Sequence, residues 1–332
     1  MSARAAPLFA LAFALVGLAA PAQGEPAMVV ESRIALPGVV GRIDHMAVDL
    51  ARRRLLVAEL GNGTLDVVDL AAGRQIRRIA GLREPQGVGY APRADLVAVA
   101  SAGDGSVKLF RGEDLAPVGT VGLGEDADNI RLDPRTGNLV VGYGSGVLAV
   151  IDPERRAKIG EMRLAAHPEA FAIDAATRRA FVNVPDAGQI AVVDLASMRQ
   201  VATWKLPELR ANFPIALDAA GTTVATVFRR PPTLVLIDAR AGAPIARLDT
   251  CGDADDVFFD PKRRRIYVSC GAGFVDVFEA GATGAYARRS RVETSAGART
   301  SLFVPELDRL YVAARAGPLG SEAAIRVMRP VP

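Results

Sequence analysis

Short apolar runs and polar turns alternate along this chain with a long, regular period. Aligned on the residue that closes the first apolar run of each unit, the anchors are Asp49, Ala91, Asp133, Asp174, Asp218, Asp260 and Val304, spaced 42, 42, 41, 44, 42 and 44 residues apart. Six residues beyond each anchor a second apolar run begins, at Leu55, Val97, Leu139, Ala180, Val224, Ile266 and Leu310. A polar turn separates the two. Pro92, Pro134, Pro261 and Pro305 follow their anchors directly, where a preset φ suits the first central position of a turn. A third run follows each time (TLDVVDL, SVKLFRG, GVLAVIDP, QIAVVDL, TLVLIDA, FVDVFEA, AIRVMRP). A weaker fourth closes six of the seven units, as in QIRRIAGL and QVATWKLP. Four short strands per unit of this length is the spacing of a propeller blade. The pattern predicts an all-β, seven-bladed β-propeller of four-stranded blades, and Cys251–Cys270, CGDADDVFFDPKRRRIYVSC, is its clearest copy.

The two ends predict how the ring closes. The last unit runs out after AIRVMRPVP with no fourth strand, and Met28–Pro37, MVVESRIALP, has no blade of its own. Placed as the outer strand of the last blade, that segment covers an edge that would otherwise invite aggregation. Half of the chain is apolar, with 32 Gly and 21 Pro, which suits short strands, tight turns and a substantial core. No linker or shift in composition interrupts it, so residues 25–332 read as one domain and a monomer is expected.

Ahead of it, residues 1–24 read as a signal peptide: Arg4, an apolar run over Pro7–Ala19, and the small-x-small pattern Ala20-Pro21-Ala22. No later run approaches the roughly 18 apolar residues of a membrane helix. The mature protein is therefore expected to be exported, soluble and periplasmic. In that oxidising compartment a disulfide between Cys251 and Cys270 is expected, with a soft-metal site of Cys and His as the alternative.

The pattern D-P-x-x-x-x-apolar-Y-V is complete in unit six and partial in others. Ile266-Tyr267-Val268-Ser269 and Leu310-Tyr311-Val312-Ala313 match it best, and Phe181-Val182-Asn183 matches it more loosely. On these residues the chain, over about 28–332, resembles the YVTN-repeat propellers of the YncE-like periplasmic group. The resemblance implies an exported seven-bladed propeller, usually without a known catalytic activity. It carries no family active site onto this sequence, because the matching residues are turn and core positions.

Candidate chemistry follows from blade geometry. The loops leading into each innermost strand gather at one mouth of the central channel, and five residues before each anchor stand Asp44, Gln86, Asp128, Glu169, Phe213, Asp255 and Arg299. Neighbouring positions add His45, Asn129, Asn212, Asp256 and Thr300, with Glu84, Asp126, His167 and Asp253 slightly earlier. Both histidines of the chain fall in this ring. A cluster of carboxylates focuses cations and offers oxygen ligands, and His45 with His167 is the candidate pair for a divalent metal ion. Against each Asp stands its ordinary role of bonding turn amides. Arg299 is expected to pair with Asp255, an anionic ligand being the alternative.

The opposite-face turns hold Arg52–Arg54, Arg74, Arg155–Arg156, Arg178–Arg179 and Arg263–Arg265. An acidic mouth and a basic underside are thus expected. A net charge of +3 and the lack of an aromatic platform beside the arginines argue against nucleic acid. No G-x-S-x-G, H-E-x-x-H, CxxC or CxxCH motif is present. The reading is a binding or interaction module without catalytic activity, its small-molecule, metal or protein partner engaged at the mouth through Asp44, His45, Gln86, Asp128, Asn129, His167, Glu169, Asn212, Asp255, Asp256 and Arg299. The alternative is a metal-dependent hydrolase or lactonase, or a chaperone-like metal binder, using the same ring. Propeller lactonases of the gluconolactonase type have fewer blades than the seven repeats here.

Overall fold

The computed structural model describes residues 26–317 and 320–332; the expected signal peptide lies outside them. Seven antiparallel sheets of four strands follow one another around a ring. The innermost strands are Met46–Asp49, Pro85–Ala91, Ala127–Leu132, Phe171–Asp174, Arg210–Leu217, Ala254–Asp260 and Ser301–Val304. Each ends at its sequence anchor or one residue before it. Among the described residues no helix is long and apolar enough to cross a membrane.

Burial explains why the first three runs of each unit are plain in the sequence and the fourth is faint. Second strands such as Leu96–Ser101 and Arg265–Cys270 are buried at every position, because a neighbouring blade covers each face of the sheet. A strand covered on both faces reads as a continuous apolar run. The outer strand Arg199–Trp204 is exposed along nearly its whole length and needs no apolar pattern. Between the sheets lie layers such as Val140, Leu148, Phe171, Ala180, Val182 and Ala191, which join blades three and four.

The ring closes as the unpaired ends require. Met28–Ala35 pairs antiparallel with Ala324–Pro330, in register from Met28 opposite Pro330 to Ala35 opposite Ala324, with one irregularity between Val30 and Ser32. The N-terminal strand is thus the outer strand of blade seven. Arg265, from the second strand of blade six, anchors both chain ends. It is 2% exposed, pairs with Glu279 at 2.6 Å, and donates to the carbonyls of Ala27 (3.3 Å) and Val331. Arg263 reaches Pro330 O at 3.3 Å and Arg289 reaches Pro332 O at 3.1 Å.

The arginines opposite the mouth are largely structural. Arg52 of blade one binds Asp95 of blade two through both terminal nitrogens, at 2.7 and 2.8 Å. Arg263 of blade six does the same to Asp308 of blade seven, at 2.6 and 2.8 Å. Such two-point contacts fix orientation as well as charge. They leave Arg263 and Arg265 unavailable as phosphate contacts. Aspartates at the ends of first strands hold the turns themselves: Asp260 Oδ1 accepts from the Lys262 amide at 3.0 Å and Asp49 Oδ1 from the Arg52 amide at 3.1 Å.

Cys251 and Cys270 form the expected disulfide, with Cα atoms 5.9 Å apart, ahead of the first strand of blade six and at the end of its second. Neither thiol is free, which overturns the Cys/His soft-metal alternative.

Two predictions follow from these contacts. Arg265→Met leaves the Val331 carbonyl without its side-chain donor, removes one of the two donors to the Ala27 carbonyl and strips Glu279 of a partner, at a total cost of about 1–3 kcal/mol. The exposed Arg264→Met should change stability by under about 0.5 kcal/mol. Urea unfolding of the two variants checks the difference, and equal midpoints would contradict the anchoring role. Replacing both cysteines by Ala should cost about 3 kcal/mol for a loop of this size. The same assay tests that, together with a thiol titration of the unfolded, unreduced wild type, in which no free thiol is expected.

Candidate functional site

The channel mouth holds a cavity of about 220 Å³, to which all seven blades contribute. Blades two to four supply Gln86, Asp126, Asp128, Asn129, His167 and Glu169; Arg42, His45, Phe213, Arg229, Asp255 and Arg299 come from the others. Close approach of the innermost strands makes this possible. Gly87 lies so near blade three that a Cβ there would stand 2.0 Å from the Asp128 carbonyl oxygen. A side chain at that position would push Asp128 out of place.

The two sides of the mouth differ in charge. On one side three arginines are matched by carboxylates. Arg42 pairs with Asp44 at 2.7 Å. Arg299 holds Asp255 at 2.9 Å, the expected pair, and also Asp253 at 3.0 Å. Arg229 donates to Asp255 at 2.6 Å and to the Ala254 carbonyl at 2.8 Å. Its guanidinium carbon lies 3.7 Å from the Phe213 ring centroid, a stacked cation–π contact. On the other side Asp126, Asp128 and Glu169 face the cavity with His167 as the cation among them. Carboxylates that face the cavity without an arginine partner are thus gathered in an arc over blades two to four, and arginine–carboxylate pairs dominate the remainder.

His167 is held by this arc. Its Nδ1 lies 2.6 Å from the Gly144 carbonyl oxygen and 3.5 Å from Asp126, and its Nε2 lies 3.7 Å from Asp128. Burial disfavours the imidazolium, but the contacts to Asp128, Gly144 and Asp126 outweigh it and push the pKa up to about 9. Burial also opposes charge on His45, where the carboxylates of Asp44, Asp256 and Asp128 prevail and raise the pKa. Burial opposes the charge on Asp128 too, and there the contact with His167 and the nearby His45 and Arg42 hold the carboxyl below its ordinary value. Glu169 lacks such a partner, and burial reinforced by Asp128 lifts it to about 7.

The structure brings Gln86, Asp128, Asn129, His45, His167, Glu169, Asp255 and Arg299 together around the cavity. Asp44 is 1% exposed and sits behind Arg42 and His45. Asp256 lies deeper in the channel with Arg131 and Phe171. It accepts from the Ser301 amide at 2.7 Å, and burial pushes it up to about 7. Asn212 points away from the cavity and joins blades four and five, donating to Asn183 Oδ1 at 2.8 Å and to the Gln189 carbonyl at 3.0 Å.

The two histidines share one cavity. A metal held by both would need an unprotonated nitrogen on each; on His167 the Gly144 carbonyl occupies Nδ1, which leaves Nε2 alone. Among the described residues no group of three or more His, Cys, Asp or Glu side chains is arranged to hold a metal ion.

Two cations escaped the sequence reading as mouth or channel residues: Arg42 and Arg131. Each left a trace. Two residues before the anchors stand Ala47, Gly89, Arg131, Ala172, Ala216, Phe258 and Leu302, so Arg131 is a lone charge at an otherwise uncharged channel position. Arg42 occupies in unit one the offset that Asp126 and His167 occupy in theirs.

No family model matches the chain, and no curated protein sequence does. Solved structures share its fold. A chain of Kuenenia stuttgartiensis hydrazine synthase is 17% identical, with a TM-score of 0.76 over 86% of this chain and 96% of that one. A chain of a mitotic checkpoint complex is 14% identical, with a TM-score of 0.78 over 98% of both chains. Identities this low carry the fold alone.

The His167 contacts set a pH dependence. Its pKa is raised from an ordinary value near 6.5 to about 9. The stabilisation is therefore complete below pH 6.5 and is lost as pH rises through 9. Urea midpoints at pH 6.5 and pH 9.5 should fall further for the wild type than for His167→Gln. Parallel losses would show that the imidazolium contributes nothing.

Proposed function

We propose that the chain is an exported, periplasmic propeller of the YVTN type that serves as a binding module. It takes a small polar ligand in the mouth cavity and presents the arc of blades two to four to a cationic or hydrogen-bond-donating group. The disulfide suits an oxidising compartment. The cavity volume suits a ligand of a few heavy atoms inserted from the mouth face.

The observation that carries this reading is the unmatched set of acceptors in the arc. Asp128 Oδ1 and Asn129 Oδ1 are buried with no hydrogen-bond donor among the described residues. Glu169 beside them faces the cavity with its pKa lifted to about 7. Buried acceptors without donors cost about 1–3 kcal/mol each, and a ligand that donates to them recovers that cost. A ligand ammonium also supplies the counter-charge that Glu169 lacks. The opposite side, with Arg42, Arg229 and Arg299 already paired, frames the ligand and offers Phe213 as an apolar surface. No bond-breaking step is assigned to any of these groups.

A cation and an ionised Glu169 favour each other, so affinity should rise with pH through about 7. Isothermal titration calorimetry with primary amines from ethanolamine to putrescine tests this at pH 6 and pH 8. Tighter binding is expected at pH 8, and Glu169→Gln should weaken it at least tenfold, or about 1.4 kcal/mol, and flatten the pH dependence. Amine affinity unchanged in the variant, or no affinity for any of these amines, would reject the reading.

A further inference from the structure

Beside the mouth cavity a second, larger hollow of about 700 Å³ runs along the same face between blades four and five. Pro185, Pro207 and Leu209 give it apolar walls, and Phe213 and Arg229 line both hollows, so the two adjoin. Its distinctive feature is a charge pair of one sign. The first two strands of blade five place Arg210 directly opposite Arg230, and both line the groove. Residues directly opposite on antiparallel strands share a face, and like charges in that position repel.

Several arginines elsewhere in this protein are matched at two points: Arg52, Arg78, Arg263 and Arg291 each grip a carboxylate in this way. Two carboxylates near this pair are engaged elsewhere: Glu208 lies two residues before Arg210, and Asp255 is gripped by Arg229, the neighbour of Arg230. Glu208 pairs with Arg247, and Asp255 is shared by Arg229 and Arg299. Asp186 is the one carboxylate lining the groove, against three arginines, and it forms an ion pair with none of them among the described residues. An oxyanion between Arg210 and Arg230 would turn the repulsion into two charge-assisted contacts, for which the planar guanidinium is well shaped.

We propose that the groove between blades four and five is an oxyanion-binding site, in which Arg210 and Arg230 receive a carboxylate or phosphate group of a small ligand. It stands on residues separate from the acidic arc and does not require an occupied mouth cavity.

Calorimetric titration of the full chain with inorganic phosphate, and separately with citrate, at ionic strength fixed with sodium chloride, tests the site and tells the two anion chemistries apart. Saturable binding of at least one anion is expected, with affinity at least tenfold lower in Arg210→Gln/Arg230→Gln. Without anion, that double variant should unfold at a higher temperature than the wild type, because the repulsion is gone. Should the double variant fail to fold, amide chemical-shift mapping of the wild type with the same anions decides, with shifts expected at residues 207–213 and 229–233. No binding of either anion beyond the chloride control, affinity retained in the double variant, or shifts confined to the arginine-rich opposite face would overturn the proposal.

Discussion

A single buried guanidinium holds the ring shut. A propeller made from one chain must join its first and last strands, and here the joint is the pairing of Met28–Ala35 with Ala324–Pro330. Strand pairing alone leaves frayed ends, since terminal residues are the least constrained part of a chain. Arg265 removes that freedom from a neighbouring blade by binding carbonyls on both sides of the joint and balancing its charge against Glu279. A buried cation is tolerated because its donors are satisfied. Two-point grips between other blades, such as Arg52 on Asp95, repeat the device where the ring has no break.

Closure has a consequence at the opposite pole. Seven innermost strands crowd around one axis, and crowding brings charged side chains from distant parts of the sequence into contact. His167 meets Asp128 and Asp126 of the preceding blade, and Arg299 meets Asp253 and Asp255. Low dielectric strengthens each of these pairs and raises the cost of every group left alone. The mouth therefore sorts into a side where arginines and carboxylates cancel and an arc where they do not. The arc faces the cavity and holds buried oxygens that have no donor among the described residues.

The fold was legible because the strands that build it are buried on both faces. Runs such as Leu55–Ala58 and Ile266–Cys270 cannot vary without loss of packing, so the period stands out. The closing strand was legible by subtraction, as an outer strand missing at one end and a spare one at the other. The site was legible in position and less so in electrostatics. A fixed offset from the anchors found Asp128, Glu169, Asp255 and Arg299, because the backbone path is common to all blades. It misjudged Asn212, whose hydrogen bonds to Asn183 and Gln189 turn it into the blade interface. It also made the mouth too acidic. Arg42 neutralises Asp44 two residues away, and Arg229 neutralises Asp255 across a blade boundary, a partner set by the ring rather than by any local spacing. For the same reason the arginine-rich turns read as a basic face, whereas Arg263 is gripped by Asp308 and Arg265 is buried.

The central claim is that the arc over blades two to four carries negative charge that the protein itself does not neutralise. His167 reports on that charge directly. The chain contains two histidines, so two-dimensional NMR of the imidazole nitrogens resolves both without ambiguity. A titration in which His167 keeps both ring protons through neutral pH and deprotonates near pH 9 is the result expected. An apparent pKa at or below the ordinary value of about 6.5 would show that the arc is already neutral and would contradict the account.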